Sequence, residues 1–178
     1  FAARELLRRF GTGEDLAELW RAPRLVEEMP LPGTGEWDPL PEPPFKGWEE
    51  TTLLAAGLAE DSCALIEAVR RVNPALAGRC LVESGLEDIR ALRLGGLALC
   101  LETDQPEMQG LLERLRDDLL ADLYDPRLHL RARLQAGRVL GQLGDPRLKI
   151  EVKDGVRYIA PDLVPVPAGR YIIGSRED

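Results

Sequence analysis

Leu123-Tyr124-Asp125-Pro126-Arg127-Leu128 returns twenty residues later as Leu143-Gly144-Asp145-Pro146-Arg147-Leu148, and a helix-length interval separates the two copies. Before the first copy, Met108, Leu111, Leu112, Leu115, Leu119 and Leu123 recur at three- and four-residue spacing. Glu113, Arg114, Arg116 and Asp117 fall elsewhere on the same wheel, so the pattern predicts an amphipathic helix. Between the copies, the small residues Ala132, Ala136 and Gly137 lie beside Val139, Leu140 and Leu143, a face that lets helix axes approach closely. The turn chemistry agrees with this: Gly144 is free to take a positive φ that closes a helix, and Asp145 is placed to cap a following one. Pro146 suits a first helical position, where its missing N–H has no partner.

Upstream the helical pattern extends back to Trp48. The spacing predicts a helix over 49–58 with Leu53, Leu54 and Leu58 on one face. The next begins at the capping pair Asp61-Ser62 and carries Leu65, Ile66, Val69 and Val72. Asn73-Pro74 joins a cap to a first-turn proline and starts another, bearing Leu76, Cys80 and Leu81 and ending at Gly85. The stretch 86–101 is apolar on several sides and interrupted by Gly95-Gly96, which reads as a kinked or broken buried helix. At the front, Leu6, Leu7 and Phe10 mark a helix over 2–10 stopped by Gly11 and Gly13, and Leu16, Leu19 and Trp20 mark a shorter one over 15–21.

Downstream of 145 the period changes. Lys149-Ile150-Glu151-Val152 alternates, and Asp154-Gly155 between Ile150/Val152 and Val156/Tyr158 is a two-residue hairpin signal. Pro161, Pro165 and Pro167 keep the chain extended up to an expected strand over 170–174. The fold class is therefore mainly α, an irregular helical array with a short β segment at the C-terminal end.

Seven prolines between Pro23 and Pro44 exclude helix and central strand there, leaving a linker or a strap laid across the helices. Trp37, Phe45 and Trp48 favour a strap, because a solvated linker gains nothing from large rings. The same three are the candidate protein-contact residues, since large rings anchor interfaces; packing of the strap on the helices is the simpler use of them.

Composition narrows the function. The net charge of -8 opposes a nucleic-acid surface, which requires a positive face. Arginine makes up 20 of the 23 basic residues; set against 31 acidic ones, this reads as charge pairing under a coding bias rather than phosphate recognition. No run reaches the roughly 20 apolar residues of a membrane span, and no signal-peptide pattern is present. Cys63, Cys80 and Cys100 are odd in number and too widely spaced for a zinc site, so they read as small buried hydrophobes of a reducing, cytoplasmic compartment. His129, the sole histidine, has no local catalytic partner and reads as polarity on a helix surface. Glu49-Glu50, Glu87-Asp88 and Asp117-Asp118 are adjacent in sequence and point apart on a helix, which makes them solvated faces rather than acid/base pairs. No catalytic, cofactor-binding or metal-binding residue is assigned, no cofactor is expected, and the segment reads as non-enzymatic.

Three resemblances organise these observations. The segment 131–147, an Ala-containing helix ending in Leu143-Gly144-Asp145-Pro146, resembles a HEAT-type repeat, which implies a short solenoid whose repeats bury their faces against one another. Val164-Pro165-Val166-Pro167-Ala168-Gly169 followed by Tyr171-Ile172-Ile173-Gly174-Ser175 resembles the opening of the formylglycine-generating-enzyme/sulfatase-modifying family, a C-type-lectin-like fold, with Ile173 where Met is usual. None of that family's catalytic or metal-binding residues falls in this stretch. Phe1-Ala2-Ala3-Arg4-Glu5-Leu6-Leu7 is similar to the tail of the helix that closes the NTPase module in bacterial NACHT-type signalling proteins of the STAND class, and Trp48-Glu49-Glu50-Thr51-Thr52-Leu53-Leu54-Ala55-Ala56-Gly57-Leu58 to the helical segment that follows it.

The order of these resemblances implies an internal piece of a longer signalling protein. It divides into a helical end of an NTPase-associated module over 1–22, a Pro-rich strap or linker over 23–47, a HEAT-like array over 48–148 and the opening of a lectin-like domain over 149–178. The implied function is a helical connector that couples an upstream NTPase to a downstream sensor through protein contacts. Its partners would be other domains of the same polypeptide and possible protein partners, with no nucleic acid and no membrane. The alternative is an accessory N-terminal region of an oxidase or ligand-binding protein of the formylglycine-generating type.

Overall fold

The computed structural model describes residues 1–28, 46–83, 90–94, 97–102, 105–160 and 164–171, with residues 90–94 and 97–102 described by their backbone. It divides into two compact units, Phe1–Arg147 and Leu148–Asp178.

The first unit is mainly helical. Helix α1, Ala2–Gly11, buries Ala3 and Leu6 and ends where Gly13 takes φ +76°. Helix α2 is a single turn, Ala17–Trp20, shorter than the spacing over 15–21 suggests, with Asp15 accepting from the Ala17 N–H at 3.0 Å. Helix α3, Glu49–Leu58, buries Thr52, Leu53, Ala55 and Ala56. Helix α4, Ser62–Arg70, begins on Asp61, whose carboxylate accepts from the Ala64 N–H at 2.8 Å, and its Leu65, Ile66 and Val69 are fully buried. Helix α5, Pro74–Glu83, starts as its residues dictate: the Asn73 side chain accepts from the Leu76 N–H at 3.1 Å, and Pro74 occupies the first position.

The stretch 86–101 departs from expectation. Instead of a kinked helix, the backbone forms two antiparallel strands, β1 (Arg90–Leu94) and β2 (Leu97–Glu102), with Arg90 opposite Glu102 and Leu94 opposite Leu97. The register shifts after Leu92, so Leu99 faces no partner residue. Leu and Ala favour a helix intrinsically, but two consecutive glycines cost a helix about 2 kcal/mol, and without a 3.6-residue stripe the run has no face to repay it.

Helices α6 (Pro106–Tyr124) and α7 (Leu130–Leu143) form an antiparallel pair. Met108, Leu111, Leu112, Leu115 and Leu119 of α6 and Ala136, Val139, Leu140 and Leu143 of α7 are buried, as the leucine stripe and the small-residue face imply. Each helix caps the other. Arg116 of α6 donates to the Leu143 carbonyl at 3.1 and 2.6 Å, and Arg133 of α7 donates to the Leu123 carbonyl at 2.8 Å. A guanidinium thus sits at the negative end of each helix dipole. Helix α5 approaches α7 at Gly78, where an added Cβ would lie 2.4 Å from Val139 Cγ1.

These side chains form one aliphatic interior that includes Leu6, Leu16 and Trp20 from the front of the chain and Leu140 and Leu143 from α7. Partly buried ion pairs tie neighbouring helices across its edge. Arg70 of α4 binds Glu67 at 2.8 Å and also Asp118 of α6; Arg79 of α5 binds Glu83 at 2.8 Å and Glu50 of α3 at 3.0 Å. The Arg70 guanidinium holds the Glu67 carboxyl down to about 2.

The second unit contains a hairpin of β3 (Lys149–Lys153) and β4 (Val156–Ala160), with Lys153 opposite Val156. Asp154 (φ +53°) and Gly155 (φ +78°) make the turn, and two successive positive φ values match the twist of paired strands. Residues 164–171 are exposed. Of the strand expected over 170–174, Arg170 and Tyr171 are not in a strand, and the remainder lies outside the described residues. Asp145, expected to cap a helix, instead precedes this hairpin and clamps its own turn by accepting from the Arg147 N–H at 3.0 Å.

Candidate functional site

Of the three aromatic candidates, Trp37 and Phe45 lie outside the described residues. Trp48 stands at the start of α3, half-buried against the aliphatic core. Its carbonyl accepts from the Thr52 hydroxyl at 2.8 Å, and the Thr52 oxygen in turn accepts from the buried Trp20 indole N–H at 3.2 Å. The Trp20 carbonyl accepts from the Asn73 side-chain amide at 3.0 Å. Asn73 also caps α5, so this chain of hydrogen bonds joins α2, α3 and α5 through residues that composition marks only as scattered aromatics and polar side chains. Buried networks of this kind fix relative positions when every member is satisfied.

An open concavity lies elsewhere. Segment 21–28 crosses the corner where α6 turns into α7, and an antiparallel bridge between Leu25 and Leu128 holds it there. His129 N–H donates to the Arg24 carbonyl at 2.9 Å, and Val26 N–H donates to the Arg127 carbonyl at 3.1 Å. Beside this bridge is an open groove of about 890 Å³ lined by Leu25, Val26, Val72, Pro126 and Leu128, with arginines and carboxylates around its rim. Its volume falls in the range of ligand and peptide clefts.

Several of the rim charges are engaged. Arg24 binds Asp122, Arg127 binds Asp125 at 2.7 Å, and Glu28 accepts from the Arg24 and Leu25 N–H groups at 2.9 and 3.0 Å. Burial pushes the Asp122 carboxyl above its ordinary value in spite of Arg24, whereas Arg127 holds Asp125 down to about 2. Hydrogen bonds from the Leu25 and Arg24 amides lower Glu28. An apolar floor with a charge-balanced rim suits a polypeptide better than a small ion, which would have to displace an existing pair.

His129 corrects the expectation of a surface polar residue. It is only 3% exposed and serves as the N-cap of α7, its Nδ1 accepting from the Arg131 N–H at 3.1 Å. Cys80 is buried as expected, and burial lifts its thiol to about 12, which makes it a small apolar core residue rather than a nucleophile. Cys63 is half-buried, 3.9 Å from the Met108 sulfur, and Cys100 lies on strand β2 rather than on a helix. Among the described residues, no three His, Cys, Asp or Glu side chains gather as metal ligands, and no helix is long and apolar enough to cross a membrane.

The pairing of Arg24 with Asp122, and of Leu25 with Leu128, has no local signal, because the partners are far apart in the chain. The cap at His129 had one faint sign: it immediately precedes the apolar periodicity of α7. No family model, curated protein or solved structure matches this chain.

Proposed function

We propose that the chain is a non-catalytic helical connector. In this reading it passes the state of an NTPase module on one side to a lectin-like sensor on the other, through packing and protein contacts, as the order of its sequence resemblances implies. The observation that carries the reading is the single aliphatic interior of the first unit, which links α1 at its front to α7 near its end. A displacement imposed on one helix must be taken up by its neighbours, because close-packed interiors transmit strain. The ties from Arg70 to α6 and from Arg79 to α3 hold the same helices in fixed relation at the surface.

The test is a coupling measurement. In a polypeptide that joins the two modules through this chain, deletion of 48–147 is expected to leave nucleotide hydrolysis insensitive to sensor occupancy. Coupling that survives the deletion overturns the reading.

A further inference from the structure

We propose that His129 is an acid-sensitive clasp: when its imidazole takes a second proton, α7 loses its N-cap and segment 24–28 is released from the corner between α6 and α7. The geometry requires a neutral ring. Nδ1 accepts from the Arg131 N–H at 3.1 Å, so it carries a lone pair and the ring proton resides on Nε2. Protonation would turn Nδ1–H against another N–H, inside a site where the residue is 3% exposed and at the positive end of the α7 dipole.

The same residue holds the bridge. His129 is extended, at φ -60° and ψ 145°, and in that conformation its N–H reaches the Arg24 carbonyl at 2.9 Å while its own carbonyl accepts the first helical bond from Arg133 at 3.1 Å. Loss of the cap removes what fixes residue 129 between strand and helix, and the bond to Arg24 goes with it. The neighbouring bond from Val26 to Arg127 then has no second member to support it.

The charged groups on the elements packed here do not offset protonation. Arg131 of α7 acts on the ring directly, and Arg133 is turned to the Leu123 carbonyl; the neighbouring groove carries Arg24 and Glu28 from segment 21–28, Asp122, Asp125 and Arg127 from α6 and its turn, and Arg71 after α4. The three carboxylates are engaged, Glu28 by backbone amides, Asp122 by Arg24 and Asp125 by Arg127. Burial first, and then Arg131, lower the His129 pKa below its ordinary 6.5. Its stabilising effect is therefore complete above 6.5 and is lost as the pH falls toward the lowered folded value, because the unfolded chain takes up a proton that the folded one resists.

The chain has one histidine, so its imidazole Cε1–H signal reports its charge without overlap from another. The full chain is titrated from pH 7.5 to 4.5 by NMR, with hydrogen-exchange protection of the Val26, His129 and Arg131 amides followed in parallel for the native protein and for His129→Asn. Asparagine caps a helix without titrating. The expected result is an imidazole midpoint below 6.5 and, between 6.5 and that midpoint, protection at Val26 and His129 falling by up to about tenfold per pH unit after correction for intrinsic exchange, then levelling off below it. The variant is expected to keep its protection over the same range until Asp122 titrates. An imidazole midpoint at or above 6.5 overturns the proposal. So does imidazole titration without loss of protection in the native protein, which needs no variant to fold, or a loss in His129→Asn with the native midpoint.

Discussion

The two Asp-Pro-Arg turns share one local geometry and open into different structures. In both, the aspartate accepts from the backbone N–H of the arginine two residues on, at 2.9 Å for Asp125 and 3.0 Å for Asp145, and the same guanidinium folds back on the carboxylate. Past the first turn Leu128 is buried against the Leu25 bridge and helix α7 begins; past the second Leu148 is 46% exposed and strand β3 begins. Arg147 also donates to the Tyr124 hydroxyl at 2.9 Å and lies over its ring, which ties the second turn to the end of α6. The clamp is a property of three residues. The element that each turn opens into is set by the period of the next segment and by whether a distant strand is present to pair.

Replacing the leucine after each turn separates the two most strongly. Leu128→Ala is expected to destabilise the protein by about 2–3 kcal/mol, as for a buried leucine, and Leu148→Ala by less than about 0.5 kcal/mol, as for an exposed one. Urea unfolding measures both, and equal losses would erase the distinction.

Both turns hang on helices that must pack correctly, and Gly78 tests that framework. An alanine there meets the stiff, β-branched Val139. Overpacking costs about 1–3 kcal/mol and helix propensity returns about 1 kcal/mol, so Gly78→Ala is expected to lose up to about 2 kcal/mol. Combining it with Val139→Ala should cost less than the sum of the two single changes, and strict additivity would show that the close approach carries no strain.

The reciprocal arginines discriminate between the ends of the pair. Arg133→Met removes the cap on α6 next to the first turn, Arg116→Met the cap on α7 next to the second, and each is expected to cost about 1 kcal/mol. Hydrogen exchange should show faster opening confined to the last turn of the helix that lost its cap; uniform loss over both helices would contradict the assignment.

Acid titration gives the smallest effect. Arg127 lowers Asp125 to about 2, so the turn's stabilising contribution is present above the ordinary carboxylate range and drains away as the pH falls toward 2. The melting temperature of Asp125→Asn is therefore expected to fall less between pH 5 and 2 than that of the native protein. A parallel decline in both would mean that the clamp is not formed in solution.

Much of the helical order was legible in the residues themselves. Asp61 caps α4, Asn73-Pro74 starts α5, the leucine stripe of α6 is buried as spaced, and Asp154-Gly155 turns the hairpin. Each signal acts over a few residues. The stretch 86–101 failed for the converse reason: its Leu and Ala content suggested a helix, while Gly95-Gly96 read as a kink instead of a connection between strands. In the candidate site, Trp48 was visible as a large ring, but its bond through Thr52 to Trp20 was not, and His129 looked like surface polarity because nothing adjacent announces that it will be covered.

By itself, then, the order of residues settled where α3, α4 and α6 start and stop, which faces of α4, α6 and α7 turn inward, and where the chain reverses at 154–155. These outcomes rest on caps, turn dihedrals and hydrophobic spacing, interactions whose partners are covalent near-neighbours. Tertiary structure alone decided that 90–94 pairs with 97–102, that segment 21–28 is held against Leu128, and that Arg24 meets Asp122 and Gly78 meets Val139. Those contacts form only when the whole interior has closed, and no local pattern encodes which distant surface will be waiting.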